Sequence, residues 1–211
     1  TDNIYLLPAI WSHGQLRDAT HPWSGSANHW WYNNPYNTIT TPTDFFRTDA
    51  GGGNDTQQWK LQKHFLRYVM ARWGHSRAIA GWVLIVEIDG TVGFVQNPTQ
   101  TNAWIASAQA YFAGLDPYRN HALSEYPMTV SKFNDTSYDA GLDVRSSDSF
   151  SQQFDDVAVG NAIATETRAM RTSGKPVFHG EFGGDTTGGA SEPAHMHNGV
   201  WAGVAAGAAM T

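Results

Sequence analysis

At 211 residues the chain has the length of one ordinary domain, or of part of a larger one. Its net charge of −6, without a Lys/Arg cluster, argues against nucleic acid as a partner, and no apolar run is long enough to span a membrane. The absence of cysteine excludes disulfides, thiol catalysis and Cys-ligated zinc, while 9 Trp, 8 Tyr and 10 Phe supply rings that suit a core and a sugar-stacking surface equally well.

In chain order, Ile4 to Trp11 reads as a strand, weakened by Pro8, which cannot donate to a ladder. A long irregular segment follows from about Arg17 to Asn54, holding Trp23, Trp30, Trp31, Tyr32, Tyr36, Phe45 and Phe46 among Gly, Asn, Pro and Thr. Loops of this length usually bind something, and the alternative is a self-packed loop with its own aromatic cluster. Within it Gly51-Gly52-Gly53 lacks the Lys/Ser partner of a phosphate loop and reads as a hinge. Gln57 to Trp73 has helical periodicity, with Leu61, Phe65, Leu66, Tyr68, Val69, Met70 and Trp73 on a broad apolar face, and Gly74 closes it. Ala78 to Val86 is a nearly unbroken apolar run, the pattern of a strand covered on both faces, and it ends in Glu87.

After a Gly/Asn/Pro loop, a helix is predicted from about Thr99 to Gly114, stopped by Asp116-Pro117. Met128–Ser131 and Leu142–Arg145 are weaker strand candidates. Asp155 to Thr172 reads as a helix, Lys175 to Gly184 as a strand carrying Glu181, and Glu192 to Met210 as a helix with Ser191 as N-cap. Alternating strands and helices give an α/β fold with a parallel sheet, taken as a single domain over residues 1–211. Asp143 and Asp148 could hold a cation with loop carbonyls, but nothing forms a regular calcium loop, and no metal or other cofactor is expected.

Glu87 and Glu181 each end a buried-type parallel strand, where such folds gather their chemistry. Two carboxyl groups facing each other are the minimal apparatus of retaining glycoside hydrolysis, one as acid/base and one as nucleophile, about 5–5.5 Å apart. Taken singly, Glu87 is also explained as a salt-bridge partner for Arg72 or Arg77, and Glu181 as a cap on the Gly183-Gly184 turn. His179, two residues before Glu181, either tunes it from the same face or is a satisfied core histidine. Trp11, Trp30 and Trp31 are stacking candidates.

At these residues the chain resembles the clan A (β/α)8 glycoside hydrolases, especially the family 5 cellulase and mannanase type. Arg67 to Gly74 with Ala78 to Asp89 is similar to that family's third helix and fourth strand, Lys175 to Gly183 to its seventh strand, and Asn34-Pro35-Tyr36-Asn37 with Asp44-Phe45-Phe46 to its long loop after strand 3. The resemblance implies a TIM-type barrel, incomplete here because only strands 3 to 7 are represented. It implies Glu87 as acid/base, Glu181 as nucleophile, and a carbohydrate substrate met by Trp11, His13, Trp30, Trp31, Tyr36 and His179. Val86 stands where the family usually has Asn, and Asp148-Ser149-Phe150 where it has His-X-Tyr, so Val86, Asp148 and Phe150 occupy substrate-binding positions with altered chemistry. Losing the Asn removes a hydrogen bond that strengthens in the transition state, which leaves a catalytically silent carbohydrate-binding relative, or a fragment of a larger hydrolase, as alternatives. Open barrel edges also predict a second copy of the chain covering them. No basic-then-apolar leader precedes Ile4; the compartment is not fixed by the sequence, and secretion is the favoured expectation.

Overall fold

The computed structural model describes residues 5–22, 29–116, 121–123, 143–151, 156–184 and 192–209. The chain divides into two compact units, residues 1–124 with 137–142 and residues 125–136 with 143–211. The first unit runs through β1 (Ala9–Ser12), a small antiparallel hairpin of β2 (Asp49–Gly51) and β3 (Asn54–Asp55), α1 (Gln57–Trp73), β4 (Gly81–Val86), α2 (Val92–Gln96), α3 (Pro98–Leu115) and β5 (His121–Leu123). The second runs through β6 (Arg145–Ser151), α4 (Asp156–Arg171), β7 (Val177–Gly184) and α5 (Glu192–Ala206).

In the first unit β4 lies between β1 and β5, and both pairings are parallel. Residues Gly81 to Ile85 are all buried, as an apolar run covered on both faces requires. Pro8 leaves its mark on the ladder. The pairing slips by one residue between Leu6↔Ile79 and Ala9↔Val83, and the Pro8 carbonyl accepts from the Val83 N–H at 3.0 Å. The strand seen in the sequence from Ile4 is thus a bridge at Leu6 followed by a short strand.

α1 starts at Thr56, whose hydroxyl accepts from the Trp59 N–H, and α3 at Asn97, whose side chain accepts from the Gln100 N–H, with Pro98 in the first turn. The apolar face expected of α1 divides in two. Leu66, Val69 and Met70 are buried, whereas Leu61, Phe65, Tyr68 and Trp73 remain exposed along a neighbouring stripe. Their place in the core is taken by Trp59, Gln58 and Gln62. Gln62 is fully buried because its amide is satisfied at both ends, donating to the Phe45 carbonyl at 2.8 Å and accepting from Trp104 Nε1 at 2.6 Å. Around these groups stands an aromatic core with Phe45 at its hub, its ring 5.1–6.3 Å from those of Trp11, Trp31, Tyr36, Phe46 and Trp104. Much of the long loop is therefore self-packed, in short 3-10 turns at Trp31–Asn33, Pro35–Thr38 and Asp44–Phe46. Gly51, Gly52 and Gly53 form the β2–β3 turn, all with positive φ.

The second unit is a parallel β6–β7 pair with α4 and α5, which pack on each other. Its core includes Val159, Ile163, Met170 and Val177. The strand expected at Leu142–Arg145 begins only at Arg145 and runs to Ser151, where Ser146 and Ser147 are buried despite their polarity. Two elements went unread: α2, in what looked like loop, and β5. The candidate strand Met128–Ser131 and the N-cap Ser191 lie outside the described residues.

Replacing Gln62 with Leu would strand the Trp104 indole N–H and the Phe45 carbonyl in the core. It is expected to cost about 2–4 kcal/mol, read as a lowered urea midpoint with unchanged slope.

Candidate functional site

β4 delivers Glu87 to the site through an unusual backbone. Glu87 has φ 49° and ψ 57°, the left-handed region, and is the non-glycine residue with positive φ among those described. A β-carbon is disfavoured there by about 1–3 kcal/mol, a cost that structures usually carry where a side chain must leave a strand in a set direction. The next residues, Ile88–Gly90, form a 3-10 turn. The register Ser12↔Val86 brings the end of β1 level with that of β4, so His13 follows Ser12 to the side of Glu87. Its Nδ1 lies 2.7 Å from Glu87 Oε2, and both side chains are mostly shielded from solvent.

Beneath this pair sits Arg17, 2% exposed, whose Nε donates to the Gly90 carbonyl at 2.8 Å. Burial pulls its pKa below the ordinary arginine value, while the charges of Glu87 and Asp89 oppose that fall. His21 is equally buried, and its pKa is lowered by desolvation first and by the Arg17 charge second. The aromatic loop is tied to the 3-10 turn His13–Leu16 that follows β1: Trp30 N–H donates to Gly14 O at 2.8 Å, Trp31 N–H to Arg17 O at 3.0 Å, and Asn34 Nδ2 to Gln15 O at 2.8 Å.

A cavity of about 740 Å³ is bordered by Trp11, Gln15, Trp30, Asn34, Tyr36 and Phe65. Glu87 does not line it. The Trp11 ring packs on Phe65 of α1 and Trp104 of α3, so this groove opens beside β1 on its helix-covered side. Trp11 and Trp31 are core residues, 6% and 5% exposed, whereas Trp30 keeps 44% of its surface. Tyr36 is half-buried, which pushes its phenol up to about 12.

In the second unit the ladder is irregular where Glu181 emerges. Ser147 pairs with His179 and Asp148 with Glu181, which leaves Gly180 as an extra residue in β7. His179 reaches Thr167 on α4, and the Phe182 ring lies against Gly199 of α5, where a β-carbon would collide with it. Residues 179 and 182 thus face the helices, and the extra residue turns Glu181 to the other face, where it is exposed. Regular alternation would have put Glu181 on the helix side with His179.

His179 is 2% exposed, with Nε2 2.8 Å from Thr167 Oγ1 and Nδ1 3.3 Å from Ser147 Oγ, so both ring nitrogens are engaged inside the unit. Desolvation lowers its pKa to about 4. Among the described residues no group of three or more His, Asp or Glu is placed to hold a metal ion. No helix described is long and apolar enough to cross a membrane.

No family model matches the chain, and no curated protein matches it. Solved structures do. A Bifidobacterium dentium β-glucuronidase aligns over 71% of this chain and 26% of its own, with 17% identity and a TM-score of 0.55. A Dictyoglomus thermophilum β-D-glucuronidase aligns over 74% and 29%, with 13% identity and a TM-score of 0.56. An endo-1,4-β-D-mannanase of Thermotoga petrophila aligns over 85% and 56%, with 13% identity and a TM-score of 0.56. In fold the chain resembles part of a glycoside-hydrolase barrel.

The parallel β1–β4–β5 and β6–β7 sheets, small and open, are consistent with an incomplete (β/α)8 barrel, and the chain spans between about a quarter and just over half the length of these glycosidases. Against that barrel frame, Val86 is half-buried at the end of β4, and the backbones of Asp148 and Phe150 pair with Glu181 and Gly183. Sequence reasoning passed over Arg17 and His21, since nothing in the sequence marks an Arg in a polar loop as buried.

The His179 environment sets a pH dependence. The unfolded chain protonates this imidazole near its ordinary 6.5, whereas the folded unit resists protonation until about pH 4. The stability contributed by burying it neutral is whole above pH 6.5 and is lost as pH falls through that window, up to roughly 3 kcal/mol. The urea midpoint of the second unit should fall between pH 7 and pH 4.5, and His179→Leu should flatten that slope.

Proposed function

We propose that the chain carries the catalytic carboxylates of a retaining glycoside hydrolase acting on a β-linked polysaccharide or oligosaccharide. The observation that carries this reading is shared by both strands. Glu87 directly follows the last residue of β4, and Glu181 lies in the second half of β7, each at or beside a break in regular parallel-strand geometry. Retention of configuration requires the two carboxyl groups about 5–5.5 Å apart across the scissile bond. Glu87 protonates the departing glycosidic oxygen while Glu181 attacks the anomeric carbon, forming a glycosyl-enzyme ester. Glu87 then takes a proton from water as it displaces Glu181. The mechanism needs no cofactor. His13, in contact with Glu87, orients the acid, and exposed Trp30 with Tyr36 offers the sugar a ring surface. A polysaccharide cannot cross a membrane, so action on a polymer would take place outside the cell.

A binding-only reading is favoured by one observation, Val86 where a 2-hydroxyl partner is expected. Tryptophan fluorescence quenched by oligosaccharide without any turnover would support it.

Glu181→Gln should abolish release of phenol from aryl β-glycosides. Glu87→Gln should slow glycosides with poor leaving groups by about 10²–10⁴-fold and leave dinitrophenyl glycosides far less affected, since a good leaving group needs no acid. Equal loss on both substrate types would remove Glu87 from the acid role. As to partners, the outer edge of β1 has no ladder neighbour among the described residues, and Leu61, Phe65 and Tyr68 are exposed on α1. A second copy covering this surface predicts a dimer in sedimentation velocity at micromolar concentration, reverted to monomer by Phe65→Glu; a monomeric parent would dismiss it.

A further inference from the structure

A bulge re-aims a side chain only if the residues flanking it are held, because an extra residue in a two-stranded ladder can otherwise migrate along the strand. Glycine at the bulge, Gly180, imposes no preference of its own. What holds the strand on its near side is His179. The Thr167 hydroxyl donates its hydrogen to the Ile163 carbonyl at 2.7 Å, so toward His179 it can only accept. The imidazole therefore carries its hydrogen on Nε2, donating to Thr167 Oγ1 at 2.8 Å, while Nδ1 lies 3.3 Å from Ser147 Oγ, whose one hydroxyl hydrogen is shared between Nδ1 and the carboxylate of Glu166. Ser147 is His179's own ladder partner on β6 and also lies 3.4 Å from Glu166 Oε2. One rigid ring thus ties β7 to α4 and to β6 at the last regular pair before the bulge. On the far side, Phe182 is seated against Gly199.

We propose that His179 is a positioning residue for Glu181: by pinning β7 between Thr167 and Ser147, it keeps the extra residue at Gly180 and so keeps the Glu181 carboxylate on the face away from the helices. The inference rests on the reading of Glu181 as nucleophile for its catalytic consequence, though not for its structural one. Without the clamp the bulge shifts along β7, and the carboxylate swings toward the helix side for part of the time.

The test compares His179→Leu, which keeps the bulk and removes both ring contacts, with Thr167→Val, which removes the Nε2 acceptor together with the hydroxyl's bond to the Ile163 carbonyl. Amide hydrogen exchange at residues 180–182 and the NMR titration of the Glu181 carboxyl are followed in each. Both variants should melt cooperatively, exchange faster at 180–182 and shift the Glu181 titration. On an aryl β-glycoside, kcat should fall by about 10²-fold for His179→Leu with KM little changed, the signature of a misplaced nucleophile. His179→Gln, which keeps a donor and an acceptor, should recover part of the loss. Unchanged exchange and titration in both variants would overturn the proposal, as would a wild-type kcat in His179→Leu. Failure of the nucleophile reading looks different. A fluoroglycoside label would settle on a residue other than Glu181, or Glu181→Gln would keep its turnover, while the exchange data still decide the clamp.

Discussion

A parallel strand in a sheet covered on both faces offers its side chains two directions only, and neither points along the strand axis toward the rim. A carboxylate that must work at the rim needs a break in strand geometry at its own position. Both glutamates have one. At Glu87 the break is a left-handed residue that turns the chain immediately into Ile88–Gly90. At Glu181 it is an inserted residue that reverses the facing of everything after it. The two devices differ in how they are held. The left-handed residue carries intrinsic strain, so the surroundings must over-determine it. The bulge carries little strain at glycine, so its danger is migration, and it must be pinned from the side.

The surroundings of Glu87 fit that demand. Arg17 could have satisfied its charge in solvent, yet it is buried with Nε on the Gly90 carbonyl. Removing a guanidinium from water costs several kcal/mol unless opposite charge and hydrogen bonds answer it. Glu87 and Asp89 supply the charge, and the turn carbonyl supplies an acceptor. The arginine is therefore bound to the turn as tightly as the turn is bound to it. Because Trp31 N–H is anchored on the Arg17 carbonyl and Trp30 N–H on Gly14, the His13–Arg17 segment, held to the Ile88–Gly90 turn through Arg17, also fixes the backbone that carries the exposed Trp30 ring. The His21 ring next to Arg17 is kept neutral by burial and by that positive charge, so it adds no competing cation.

The elements with strong periodicity were legible: the apolar run of β4, the helical stripes of α1 and α3, and β7 with its Glu. The limits of legibility have physical causes. The strand expected at Leu142–Arg145 stops short of Ser146 and Ser147 because serine is buried only when its hydroxyl is satisfied, and the groups that meet Ser147 lie some 19 and 32 residues away, on α4 and β7. Gln62 does not stand out as a core residue for the same reason, its partners being Phe45 and Trp104. The division of the α1 face could not be read from periodicity, which reports how wide an apolar stripe is and not which part of it a neighbour covers. Trp11 and Trp31 were offered as sugar platforms, and their rings are spent on the Phe45 cluster instead. Among the aromatic rings, exposure and not identity separates Trp30 from them.

The bulge is the instructive case. Alternation with period two places His179 and Glu181 on one face, and on that basis the histidine reads either as a group tuning the carboxylate or as a satisfied core histidine. The inserted Gly180 breaks the parity, so the imidazole and the carboxylate leave β7 on opposite faces. Influence of one on the other must then pass through the backbone. That changes what the histidine is for: a ring in contact with a carboxylate acts by charge, and its protonation matters, whereas a ring on the far face acts by stiffness. A stiff, permanently neutral bridge is what desolvation and the Thr167 hydroxyl make of His179, with a pKa held near 4 so that the bridge stays in one protonation state through the neutral range.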